Sequence, residues 1–189
     1  MKIETRAVHA GRQPDSTTGA VAASLHLATT FERQADGSYP TGFEYSRDAN
    51  PNRDALEACA RELEGGAAAA AFASGSAATR AIFEALAPGD HVVAPQDLYW
   101  GIRVMLREHF AEWGLETTFV DMTDAAAVEG AVRANTKLIL AETPSNPMIH
   151  RSLPPIPSLG WKIWRKVTHR PHPQLRHHHH HYWKICPTT

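Results

Sequence analysis

The Ser74-Gly75-Ser76 turn is the first place where residue types point to chemistry. It joins a run of small apolar residues to a helical stretch. It therefore presents backbone N–H groups and the positive end of a helix dipole to an anion, and phosphate would fit. Such a turn serves close helix–strand packing as readily as phosphate binding. Two further segments stand at comparable positions. Tyr99, in Asp97-Leu98-Tyr99 at the entry to the next helix, offers a ring that can lie on a flat cofactor or pack half-buried against the fold. Asn146, in Glu142-Thr143-Pro144-Ser145-Asn146-Pro147, stands between prolines that fix their own φ and restrict the residue before each, as a rigid hydrogen-bonding group or a turn asparagine.

The elements that must position these residues follow from the apolar pattern. Leu56, Ala60 and Leu63 form a helical stripe ending at Gly65-Gly66. Ala67 to Ala73 reads as a buried strand because it lies between that glycine pair and the Ser-Gly-Ser turn. Ala77 to Leu86 is helical and stopped by Pro88-Gly89. His91 to Ala94 is a short buried strand, and Leu98 to Trp113 is a helix closed by Gly114. Glu116 to Val120, Ala125 to Ala134 and Lys137 to Ala141 then give strand, helix, strand. This alternation predicts an α/β fold with a mostly parallel sheet covered on both faces. Ligands collect at the carboxyl ends of such strands, where all three candidate segments fall.

With Tyr45-Ser46-Arg47 and Asn50-Pro51 added, the order and spacing of these motifs resembles the Cys/Met-metabolism (trans-sulfuration) family of pyridoxal-phosphate (PLP) enzymes. Thr5-Arg6-Ala7-Val8-His9-Ala10-Gly11 and Leu27-Ala28-Thr29-Thr30-Phe31-Glu32 extend the resemblance over nearly all of residues 3 to 148. It implies a fold-type I PLP-dependent transferase-like architecture and an enzyme of γ- or β-elimination or replacement acting on sulfur amino acids or activated homoserine. It implies that the Gly75 and Ser76 amides hold the cofactor phosphate, with Ser76 standing where the family usually has Met. Tyr99 would stack on the pyridine ring and assist proton transfer, and Asn146 would bond the ring's phenolic oxygen. Tyr45 and Arg47 would act across a dimer interface, Arg47 on the partner's phosphate and Tyr45 lining its substrate pocket. On composition alone, Arg47 is a surface residue paired with Glu44 or Asp48.

The chain changes character near Met148. All 20 Asp and Glu precede residue 151, giving residues 1 to 150 a balance of −8, whereas residues 151 to 189 carry seven Lys and Arg and no acid. That tail holds Trp161, Trp164, Trp183, six prolines and a histidine run from His177 to His181, and no alanine. It does not read as a continuation of a parallel sheet, and a lost reading frame or disorder accounts for it better than a metal site does. The expected organisation is a dimer-contact arm over 1–60, the first part of the PLP domain over 61–148, and an aberrant tail over 149–189.

The PLP chemistry needs a Schiff-base lysine and a carboxylate on the pyridine nitrogen. The resemblance places both beyond the Glu142–Pro147 segment, where Lys162, Lys166 and Lys184 stand in unmatched settings. The expectation is a chain truncated before its lysine. The alternative is a non-catalytic fragment, at most a dimer partner for an intact homologue. Acidic charge over the first 150 residues argues against nucleic acid. The amino terminus lacks a secretory pattern and no apolar run is long enough to span a membrane, so a cytoplasmic protein is expected. Two cysteines make no disulfide framework, and Cys59, at helical spacing from Leu56 and Leu63, reads as a small core residue.

Overall fold

The structure, a computed structural model of the chain, describes residues 2–149, 163–168 and 181–186. The chain divides into two compact units, Met1–Ala71 and Phe72–Thr189. The second is built on a five-stranded sheet of order β2-β1-β3-β4-β5. Its strands are β1 (His91–Pro95), β2 (Glu116–Val120), β3 (Thr136–Thr143), β4 (Ile163–Thr168) and β5 (His181–Cys186). β2 and β3 flank β1 in parallel, β4 is parallel to β3, and β5 closes the sheet antiparallel to β4.

Side chains alternate across a strand, and the core divides accordingly. Val92, Ala94, Leu138 and Leu140 point to one face. There they pack with Ile82 and Phe83 of α3 (Gly75–Glu84), with Ile102 of α4 (Trp100–Val104), and with Leu98, Leu106 and Phe110. Val93 and Ile139 point to the other face, onto Met122 and onto Val128 of α6 (Ala125–Ala131). Asp124 caps α6 by accepting from the Ala126 and Ala127 amides.

The predicted helix from Leu98 to Trp113 forms as α4, a π turn over Met105–His109, and the short α5 (Phe110–Glu112). Its buried residues Leu98, Ile102, Leu106 and Phe110 recur every four positions. On an α-helix that spacing rotates the stripe by about 40° per step. The wider π turn takes back part of the drift and keeps Leu106 and Phe110 on the core.

The first unit contains α1 (Ile3–His9) and α2 (Pro51–Glu64). Asn50 caps α2 through the Asn52 amide, Pro51 occupies its first turn, and Gly65 ends it at φ 64°. Polar bonds, more than a core, tie the preceding chain to this helix. The Asn52 side chain accepts from the His26 amide at 2.8 Å and donates to the Ser24 carbonyl at 2.7 Å. The Arg53 guanidinium donates to the carbonyls of Ser46, Arg47 and Asp48. No residue of α2 is buried.

Four expectations need correction. Ala67 to Ala73 is not a strand, and most of it is exposed. A strand needs a neighbour for its backbone groups and none runs beside it among the described residues; the Ala71 amide instead donates to Glu57 Oε1 at 2.8 Å. Leu56, read as part of the apolar stripe, is 57% exposed. Cys59 is only half-buried, although it packs closely on Gly11, where a Cβ would come within 2.9 Å of its own. Finally, part of the tail does extend the parallel sheet: Ile139 to Thr143 pair in register with Ile163 to Val167. Ile163, Trp164 and Val167 belong to the β-branched and aromatic types that favour strands, a local signal that overall composition hid. Of the histidine run, residues 177–180 lie outside the described residues.

At the amino end of the sheet lies a polar cluster that sequence reading missed. His91 has no exposed surface, and its Nδ1 and Nε2 each sit 2.8 Å from a hydroxyl, of Thr136 and Thr118 respectively. Arg133 donates to both hydroxyls, through its main-chain N–H to Thr136 and through its guanidinium to Thr118, and it pairs with Glu116 at 2.9 Å. A neutral imidazole suits this arrangement because one threonine can donate to it and the other accept. Burial first, then the positive Arg133, push the His91 pKa below its ordinary 6.5, with Glu116 opposing weakly. The unfolded chain therefore binds the proton more readily. The stability His91 contributes is complete above about pH 6.5 and is lost as pH falls from there through the folded-state value. The urea midpoint should drop between about pH 7 and about pH 5, and the drop should be shallower in His91→Gln. Equal slopes in the two proteins would show that other groups govern the acid transition.

Candidate functional site

The parallel strands β1 and β3 end on the same side of the sheet, and the chain leaves them through Asp97-Leu98-Tyr99 and Glu142–Pro147. One bond ties these two exits together. Glu142, 1% exposed, accepts the Tyr99 main-chain N–H on Oε2 at 3.1 Å. Tyr99 stands immediately before α4 with 41% of its surface exposed, so its ring remains available to a flat ligand. Asn146 is exposed beyond the buried Ser145.

The third segment arrives by way of α3. That helix is about 15 Å long and packs along β1, itself about 16 Å long. Because only Ala85 to Asp90 connects the two, the chain reverses there and the Gly75 end of α3 lies at the level of the strands' carboxyl ends. Ser74 is extended, at φ −155° and ψ 159°, and its hydroxyl accepts the Ala77 amide at 3.1 Å. The first two helical amides, Gly75 and Ser76, precede any intrahelical acceptor and remain for an anion, reinforced by the helix dipole. Thr79, fully buried and absent from the sequence reading, donates its hydroxyl to the Gly75 carbonyl at 2.8 Å and so fixes the first turn. The structure thus brings Gly75, Ser76, Tyr99 and Asn146 to one end of the sheet.

Tyr45 and Arg47 belong to the first unit. Tyr45 bridges Thr30 in antiparallel fashion, with the Phe31 amide on the Glu44 carbonyl and the Ser46 amide on the Thr29 carbonyl. The Arg47 guanidinium lies 4.8 Å from the centre of the Tyr45 ring and is exposed. Among the described residues it makes no ion pair with Glu44 or Asp48, the pairing that composition suggested.

A family profile described as Cys/Met metabolism PLP-dependent enzyme matches residues 4–153, a stretch that includes every one of these positions. This chain belongs to that family. It is 46% identical over 148 residues to a cystathionine beta-lyase of Coxiella burnetii, covering 78% of this chain and 38% of that protein. It is 44% identical over 149 residues to a cystathionine gamma-lyase of Bacillus subtilis, covering 79% and 39%. The crystal structure of cystathionine gamma-lyase from Lactobacillus plantarum complexed with L-serine superposes with a TM-score of 0.75 at 41% identity, over 80% of this chain and 39% of that one. The chain therefore spans about two fifths of the length of the relatives it matches.

The residues present fit part of what PLP requires. The two amides of α3 suit a phosphate, and the exposed Tyr99 ring and Asn146 amide suit the face and edge of an aromatic ring. The reacting lysine has no counterpart in this group. Lys137 is exposed near the start of β3, five residues and about 16 Å along the strand from Glu142, which is beyond the reach of its side chain.

Gly75 offers a clean test of the cup. It occupies the first helical position, where proline is tolerated, and the extended Ser74 before it already has the conformation that precedes a proline. Gly75→Pro should remove one phosphate donor and weaken binding of PLP about tenfold, while changing stability by less than about 1 kcal/mol. Equilibrium dialysis beside a thermal melt measures both, and unchanged binding at unchanged stability would remove Gly75 from the cup.

Proposed function

We propose that the chain supplies the cofactor-cradling part of a PLP-dependent enzyme of sulfur amino acid metabolism, catalysing γ- or β-elimination or replacement on a small amino-acid substrate. The observation that carries this reading is the Tyr99–Glu142 bond, which joins two exits of a parallel sheet at the end where the α3 amides also lie. Bound PLP supplies an electron sink for negative charge at the substrate's α-carbon. Toward it, Gly75 and Ser76 bind the phosphate, Tyr99 covers one face of the ring and assists proton transfer, and Asn146 donates to the phenolic oxygen.

The first unit extends the proposal to a dimer or larger homo-oligomer. Val21, Leu25 and Leu27 are 77%, 83% and 92% exposed, an arrangement that calls for a covering surface. A second copy with Tyr45 and Arg47 turned to its site fits that need. Residues 1–60 then serve as the contact arm, residues 61–148 as the first part of the cofactor domain, and the compartment is the cytoplasm.

A second reading, a non-catalytic fragment or pairing partner of an intact homologue, is favoured by the missing lysine. Among the described lysines after the matched segment, Lys166 is the one whose strand register sets it level with Glu142, as its pairing partner across β3 and β4. Reduction of the PLP-treated chain with borohydride, followed by peptide mapping, separates the readings. The expected result is sparse label spread over several lysines, as a chain without a dedicated attachment site gives. Stoichiometric label on one lysine, Lys166 above all, would reject the fragment reading.

A further inference from the structure

Burying a carboxylate is costly unless hydrogen bonds hold it, so the placement of Glu142 asks for a role. Its Oε2 accepts the N–H of Tyr99, whose backbone at φ −45° and ψ 127° stands just outside α4 and whose side chain makes no capping bond. The ring folds forward over Gly101: a Cβ at that position would lie 2.8 Å from Tyr99 Cε1 and 3.4 Å from Cζ. The main chain of Tyr99 is thus held by the end of β3, and its ring rests on a helical residue that has no side chain.

We infer that Glu142 and Gly101 are positioning residues for the Tyr99 ring, the first fixing where the ring starts and the second fixing how low it lies. The inference rests on the cofactor reading, in which Tyr99 covers the face of a pyridine ring. A stacked ring works only at one height and tilt, and a side chain with two free torsions does not hold these unaided. The two contacts restrict both. Glu142 also couples the site's halves, because the strand that carries it continues into the Asn146 segment.

The test combines amide hydrogen exchange over residues 91–102 with equilibrium dialysis against pyridoxine 5′-phosphate, which lacks the aldehyde and cannot label lysines. Glu142→Met keeps the volume and removes the acceptor. It should raise exchange at the Tyr99 amide about tenfold, leave Val92 to Ala94 unchanged, and weaken binding. Glu142→Gln retains a carbonyl oxygen and should preserve both. Gly101→Ala should leave the Tyr99 amide protected yet weaken binding, because its Cβ lifts the ring. Tyr99→Leu separates the two levels of the argument: if it binds the probe as the parent chain does, the cofactor reading of Tyr99 fails, while exchange still judges the Glu142 bond. An unchanged Tyr99 amide in a folded Glu142→Met protein overturns the inference. Parent-like binding by Gly101→Ala where Tyr99→Leu has lost it does the same, and that comparison decides the matter should Glu142→Met not fold.

Discussion

Val92, Val93 and Ala94 have no exposed surface, so β1 can exist only with strands on both edges and apolar layers on both faces. That requirement organises the second unit. The parallel neighbours β2 and β3 satisfy its backbone groups, and parallel pairing obliges the chain to return each time across a face of the sheet. The returning segments bring Ile102, Leu106 and Phe110 to one face and Met122 and Val128 to the other. Because every parallel strand then ends on the same side, the exits carrying Tyr99 and Asn146 arrive together. The site is a by-product of covering β1.

The two ends of this sheet are treated differently. At the amino end, His91, Thr118, Thr136 and Arg133 satisfy one another, which closes that end with a polar plug. At the carboxyl end, Glu142 bonds across to the next loop, and the first amides of α3 are left without intrahelical acceptors. Unsatisfied donors beside a helix dipole are where an anion gains most. The candidate ligand groups gather at the carboxyl end, where the first two helical amides have no acceptor within α3.

Much of this was legible from pattern. β2 spans the residues read as a strand, Glu116 to Val120, α2 ends at the glycine pair, and the three exits lie where strand-end residues were sought. What escaped depends on partners distant in sequence. No local signal says that Ala67 to Ala73 will lack a neighbouring strand, since small apolar residues look the same whether paired or not. Leu56 and Cys59 have the right spacing for a core face, yet what the first unit sets against that helix, the short α1, Gly11 and polar straps, leaves none of its residues buried. Glu142 looked like part of a turn motif; its role became visible only when a residue 43 positions earlier was found on its carboxylate. In the tail, composition averaged over the segment concealed the short runs Ile163–Thr168 and His181–Cys186 that form strands.

The groups that PLP chemistry requires divide by physical type. Those that bind, namely two amides, an aromatic face and a side-chain amide, need only a correctly folded backbone and a few fixed rotamers. All of those proposed here fall within one stretch of consecutive strands and helices, between Gly75 and Asn146. A PLP reaction also needs a lysine for the Schiff base and a charged partner for the pyridine nitrogen. The groups that bind make separate demands from those that react, so the proposed cradle can be judged by itself. The exposed Val21, Leu25 and Leu27 stand apart from that set, in a segment whose apolar side chains stay open among the described residues, the kind of surface that marks an interaction site where it is contiguous.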